Sequence, residues 1–319
     1  MKQSFWRISC CAGLLCAASL IASAGQIKRA DVAADPNWVL HLDIDSLRTS
    51  TIGQFILSEM DKPEAKAKLA AMQTIFNFDL RSQLHGMTLY GASQKPEEGV
   101  LMIYADFDAN RLLTLAKAGQ DYQGSDHNGH TIHSWIDDKK KAKGDANPRI
   151  YAAIQGPRVV LGQSEDRIAQ ALDVLDKKSA NLASTKSFPQ MGASAPGNFV
   201  QAAARKMDIA GSDPNAAIMK LSQMLQFDLG ESKEKLQATL SVVAESDEVA
   251  GQIASIGQGL MSLLKLQQDK PEAVKLANAL SLKQDGTRVV ASLTLPSSDV
   301  LEIIQADIAK KAAAVKSAR

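Results

Sequence analysis

The feature that most constrains this chain is repetition. Gln155-Gly156-Pro157-Arg158-Val159-Val160 in the first half returns as Gln284-Asp285-Gly286-Thr287-Arg288-Val289-Val290 near the end. Each reads as a tight polar turn entering a β-branched strand, and a capped helix start follows each, Ser164-Glu165-Asp166 and Ser297-Ser298-Asp299. Asn37-Trp38-Val39 is echoed by Asn198-Phe199-Val200, and Asn77-Phe78-Asp79-Leu80 by Gln226-Phe227-Asp228-Leu229. What one copy builds, the other must build too.

The elements between the echoes agree in order and type. Trp38 to Ile44 alternates as a strand, with Trp38, Leu40, Leu42 and Ile44 on one side and Val39, His41 and Asp43 on the other. Helices follow from Ser50 or Thr51 and from Asp61, the second with Leu69, Met72, Ile75 and Phe76 on one face. Asn128-Gly129 marks a hairpin inside Tyr122–Ile136 that the second copy lacks. Leu236 to Ala244 alternates cleanly, and a long helix starts at Ser246. The pattern predicts an α+β fold of two diverged copies of a helix-backed, mainly antiparallel sheet unit. The expected boundaries are a leader at 1–24, a first unit at 25–180, a Ser/Ala/Gly/Pro-rich linker at 181–197 and a second unit at 198–319.

The leader has Lys2 and Arg7, an apolar run from Ile8 to Ile21 and an Ala22-Ser23-Ala24 ending. These are the three parts of a secretory signal peptide, so the expectation is cleavage after Ala24 and a soluble periplasmic or secreted protein. All three cysteines, Cys10, Cys11 and Cys16, fall in the leader, and the residues before Cys10 and Cys16 do not fit a lipobox. The processed chain therefore has neither disulfides nor thiol chemistry. Losing Lys2 and Arg7 turns the net charge from +1 to −1, which offers no basic footprint for nucleic acid. No second apolar run is long enough to span a membrane.

Chemistry is sparse. His127, His130 and His133 cluster, but the Asn128-Gly129 turn puts His130 and His133 on opposite sides of a strand, which argues against a shared metal ion. No metal and no cofactor is expected; Gly-x-Ser-x-Gly and phosphate-cradling glycine loops are absent. His41 and Asp43 share a strand face and, with Asp106 and Asp108 after another strand, could gather near a sheet edge. Asp108 has a ready role as a helix cap, and His41 and Asp43 also suit a solvated face. The weak catalytic candidates are thus His41, Asp43, Asp106 and His133. Lys139, Lys140, Lys141 and Lys143 read as a solvated loop, and Gly251, Ser255 and Gly259 as a small-residue stripe packing on the protein's own sheet.

Three segments, Trp38-Val39-Leu40-His41-Leu42-Asp43-Ile44-Asp45, Leu84-His85-Gly86-Met87-Thr88-Leu89-Tyr90-Gly91 and Ala279-Leu280-Ser281-Leu282-Lys283-Gln284-Asp285-Gly286, resemble an uncharacterised group of exported bacterial proteins of verrucomicrobial and planctomycete type. The resemblance implies export and no assigned activity. The expected function is a non-enzymatic binding or scaffold protein of the cell envelope, with an envelope protein or polymer as partner. The alternative is an envelope hydrolase built from the four candidates.

Overall fold

The protein is described by a computed structural model covering residues 25–144, 148–191, 197–205 and 213–317. The expected leader, and residues 192–196 of the expected linker, lie outside the described residues. The strands are β1 (Trp38–Asp43), β2 (Leu84–Gly91), β3 (Gly99–Ala105), β4 (Gln120–His127), β5 (His130–Ile136), β6 (Arg149–Gln155), β7 (Arg158–Gly162), β8 (Asn198–Arg205), β9 (Ser222–Ser232), β10 (Lys235–Ala244), β11 (Leu280–Asp285) and β12 (Arg288–Pro296). The first-half helices are α1 (Ile44–Thr49), α2 (Thr51–Met60), α3 (Pro63–Phe76), α4 (Leu80–Gln83), α5 (Ala109–Lys117), α6 (Asp138–Ala142) and α7 (Glu165–Leu175). The second half carries α8 (Pro214–Leu221), α9 (Asp247–Leu266), α10 (Pro271–Ala279) and α11 (Ser297–Ser317).

All twelve strands join one antiparallel sheet, ordered β11-β12-β10-β9-β8-β1-β2-β3-β7-β6-β5-β4. The halves meet where β1 pairs with β8. Outward from this seam, β1-β2-β3-β7-β6 in one direction matches β8-β9-β10-β12-β11 in the other. The α+β fold is thus two copies of one sheet-and-helix path, the first extended by the β4–β5 hairpin. The turns Gln155–Arg158 and Asp285–Arg288 are equivalent, and Gly156 and Gly286 share a left-handed backbone at φ 56° and 55°.

The seam corrects two sequence echoes. Val39, His41 and Asp43 are the buried set of β1, as Phe199, Gln201 and Ala203 are of β8. Phe199 therefore corresponds to Val39 and not to Trp38, because a one-residue slip moves every side chain to the other face. Asn77–Leu80 links α3 to α4, whereas Gln226–Leu229 lies inside β9, the counterpart of β2, so that echo is no structural repeat. At the centre of the seam His41 faces Gln201 across the strands, with Thr88 and Asp228 on their outer sides. His41 Nδ1 lies 2.9 Å from Thr88 Oγ1, and Gln201 Nε2 donates to Asp228 Oδ1 at 3.0 Å. One polar row, buried at Thr88, His41 and Gln201 and half-buried at Asp228, crosses four strands with its hydrogen bonds made inside the protein, as burial requires.

Residues 181–191 do not run free as a linker. Leu182, Phe188 and Met191 belong to the main core, with Val32, Met102, Val160 and Leu172. The Leu182 amide donates to the Val32 carbonyl at 2.8 Å. Polar composition concealed three apolar anchors. The halves are also tied outside the sheet. Glu231 of β9 accepts from the Thr51 and Ile52 amides at 3.0 and 3.4 Å and from the Thr51 hydroxyl, capping α2 of the other half.

Smaller readings shift as well. The Lys139–Lys141 run forms α6, whose first amides Asp137 caps. The Ser164 side chain makes no capping bond. On α9 the close approach to the sheet is at Gly257, where an added Cβ would lie 3.2 Å from Leu282, while a Cβ added at Gly259 would point into open space.

Candidate functional site

The first-half sheet is covered on both faces, and the two covers differ. Strand alternation sends Val100, Met102 and Tyr104 of β3, Val160 of β7, Ala153 of β6 and Ile132 of β5 to one face. There they pack against Ile168, Ala171 and Leu172 of α7 in a tight core. The intervening residues point the other way: Ile103 and Ala105, Val159 and Leu161, Ala152 and Ile154, His133 and Trp135. This second face is not filled. Between it and the roof made by α3 and α5 lies a cavity of about 500 Å³.

The roof is amphipathic by sequence. From α5 come Leu112, Leu113, Leu115 and Ala116; from α3 and its exit come Met72, Ile75, Phe76 and Phe78. Helix α3 buries none of its residues, and Met72, Ile75 and Phe76 are 43%, 47% and 37% exposed. Its end is fixed by Asn77, at φ 52°, and by Arg111 of α5, which donates to the Ile75 carbonyl at 2.7 Å and the Thr74 carbonyl at 3.3 Å. The helix leaves large apolar side chains unburied, whereas monomeric surfaces keep such patches small.

Among the described residues, His133 is the one titratable group in the lining. Its Nδ1 lies 2.9 Å from the Tyr122 hydroxyl, and the two rings stack with centroids 6.0 Å apart. Burial, and next the charge of Lys117, hold its pKa below the ordinary histidine value. A neutral imidazole in an apolar chamber supplies one hydrogen-bonding edge.

The other candidates do not gather around it. His133 on β5 stands five strand spacings from His41 on β1, about 24 Å. His41 and Asp43 are not on a solvated face. His41 is fully buried, its Nε2 2.7 Å from the Gly25 carbonyl, and burial holds its pKa down against the smaller opposing pulls of Gly25 and Asp43. Asp43 caps α1, accepting from the Ser46 amide and hydroxyl, both at 2.8 Å. Asp106 meets His85, a residue the sequence reading did not single out. His85 Nε2 lies 3.0 Å from Asp106 Oδ2 and its Nδ1 3.1 Å from Asp45 Oδ1. Burial alone would lower its pKa, but the two carboxylates outweigh that and raise it. His85 sits at a register shift between Leu84, which pairs with Ala105, and Gly86, which pairs with Tyr104, and this brings it beside Asp106. Asp108 is a helix cap, accepting from the Arg111 amide at 3.1 Å. The cluster that the alternative hydrolase reading needs is therefore not assembled.

His127 and His130 are not simply exposed. They reach back to the last turn of α7, where Nε2 of each meets Asp173 at 2.9 Å and Asp176 at 3.0 Å. Among the described residues no group of three or more histidines, cysteines or carboxylates could hold a metal ion. No described helix is long and apolar enough to cross a membrane.

No protein-family model matches the chain, and a search of curated proteins found no match. Among solved structures, the chain is similar to the treponemal protein TP0453 in several crystal forms. Form III aligns with a TM-score of 0.47 at 10% identity, and form I with 0.46 at 11%; each covers 88% of this chain and 98% of the other. No role or residue is carried over at that level of likeness.

Proposed function

We propose that this chain is a non-enzymatic, exported binding protein of the cell envelope whose first unit holds one apolar chain, such as a fatty acyl group, beneath α3 and α5. The observation that carries the reading is the chamber itself. Its volume of about 500 Å³ falls in the range of small-molecule sites, roughly 300–1,000 Å³. Its walls are aliphatic and aromatic except at His133. Such walls reward a ligand for leaving water and offer little to a polar one. The exposed Met72, Ile75 and Phe76 are surfaces that an occupant would cover. Export rests on the leader, Lys2 to Ala24.

The test is titration of the purified chain with straight-chain carboxylates of 8 to 18 carbons, combined with native mass spectrometry of protein taken from the envelope. The expected result is one molecule per chain, with affinity rising along the series. No binding at any length, together with no bound apolar molecule in the native spectrum, would refute the reading.

A further inference from the structure

The residues that follow the expected cleavage point are built into the tight face of the first unit. Val32 and Ala33 are in its core, and Ala33 makes a bridge to Asn181. Asp31 accepts from the Tyr104 hydroxyl at 3.1 Å and from Arg158 Nε at 2.9 Å, and Lys28 lies over the Tyr104 ring at 5.2 Å. The described part of this strap begins at Gly25, which is buried. Its carbonyl meets the ring of fully buried His41 at 2.7 Å.

The surroundings of Gly25 are cut to its shape. A Cβ on Gly25 would lie 2.2 Å from Asp43 Oδ1 and 2.7 Å from the His85 carbonyl, so any other residue would have to displace backbone. Opposite it, a Cβ on Gly86 would lie 2.9 Å from the Gly25 carbonyl oxygen, so a second glycine keeps the place open. With standard bond lengths, the first of these distances puts the Gly25 nitrogen no more than about 5 Å from Asp43 Oδ1.

We propose that His41, Asp43 and Gly86 form a seat for the processed amino terminus, and that removal of the leader completes the folded core by placing an ammonium ion beside Asp43. Hydrolysis of the Ala24–Gly25 peptide bond by a leader-removing peptidase consumes one water. The carboxylate stays on Ala24, and the freed amine of Gly25 takes the proton to become –NH3⁺. A neutral amide in the precursor is thereby exchanged for a positive charge next to a buried carboxylate, where the attraction is weakly screened. His41 fixes the residue through its carbonyl, and the glycine pair lets the chain approach. The titratable groups facing the seat are His41 and Asp43 of β1 and, behind the β2 backbone, His85 with Asp45 and Asp106. The inference rests on the export half of the proposal above and is independent of the cavity.

The test compares four full-length processed chains: one beginning at Gly25, one extended by Ala24, and the same pair carrying Asp43→Asn, which keeps the α1 capping oxygen. The extension is expected to lower Tm by roughly 3–6 °C with Asp43 present and by less than about 1 °C in the Asp43→Asn pair. An equal fall in both backgrounds, or no fall in either, would overturn the proposal. If Asp43→Asn does not fold, competitive acylation of the native chain decides. The Gly25 amine should react at least about tenfold more slowly than the terminus of the Ala24-extended chain, and equal rates would overturn the seat. Mass spectrometry of the exported protein showing a first residue other than Gly25 would also overturn it. None of these readouts involves a ligand, so the cavity reading stands or falls separately.

Discussion

Ala152 lies in the floor of the cavity, on β6, with its side chain turned toward α3 and α5. Replacing it with Phe adds six ring carbons to space the native chain leaves open. Each methylene of a bound chain transferred from water contributes about 0.8 kcal/mol, a factor of about four in affinity per carbon. A phenyl ring that displaces four or five methylenes should weaken binding by about 3–4 kcal/mol, a factor of roughly 10²–10³. The ring enters a void and removes no core contact, so stability should change by less than about 1 kcal/mol. Isothermal titration of the native and Ala152→Phe chains with carboxylates of increasing length checks this. The native slope should continue until the chamber is full, and the variant should reach its plateau several carbons earlier. Unchanged affinity and slope in a variant with native Tm would mean that the ligand does not enter between α5 and the sheet.

Phe188→Ala removes a fully buried ring under the Arg205 guanidinium and should cost about 3–4 kcal/mol, lowering Tm by roughly 6–10 °C in thermal melts. His41 titrates lower in the fold than its ordinary value, so below about pH 6.5 the unfolded chain binds more protons. Stability should fall with acidity by up to about 1.4 kcal/mol per pH unit until His41 itself protonates, and urea melts across pH 5–8 should show a shallower fall in His41→Gln. His85, raised by its carboxylates, contributes stability present at low pH and lost as pH rises, so His85→Gln should shift the profile in the opposite direction to His41→Gln. Glu231→Ala uncaps α2 across the seam and should cost about 1–2 kcal/mol in chemical denaturation. Glu231 is held below the ordinary carboxylate value because its bonds to Thr51 and Ile52 outweigh burial, so this contribution is present above that value and fades as pH falls.

Several hairpins of the sheet were legible, because hairpin turns and strand alternation are local signals. Asn128-Gly129 and the Gly156 and Gly286 turns stand where the spacing put them. The burial sense of β1 was not legible. Trp38, Leu40 and Leu42 look like its inner face, yet Val39, His41 and Asp43 are the more deeply buried set. With both faces covered, polarity no longer separates inside from outside, and His41 is tolerated because Thr88 and Gly25 occupy its ring nitrogens. The cavity was legible only in pieces. The apolar faces of α3 and α5 and His133 were all visible, but nothing local records that two helices share one roof over β3, β7, β6 and β5. The four-residue catalytic cluster failed for the same reason: shared chemistry in a sequence does not set distance across a sheet.

A twelve-stranded sheet cannot lie flat. With adjacent strands rotated by about 20–25°, eleven steps accumulate roughly two-thirds of a full turn between β4 and β11. Directions therefore cannot be transferred from one end to the other. At that accumulated rotation, the roof of the chamber over β5 and the helices packed on β11 and β12 would face along different bearings, although they belong to one continuous ladder.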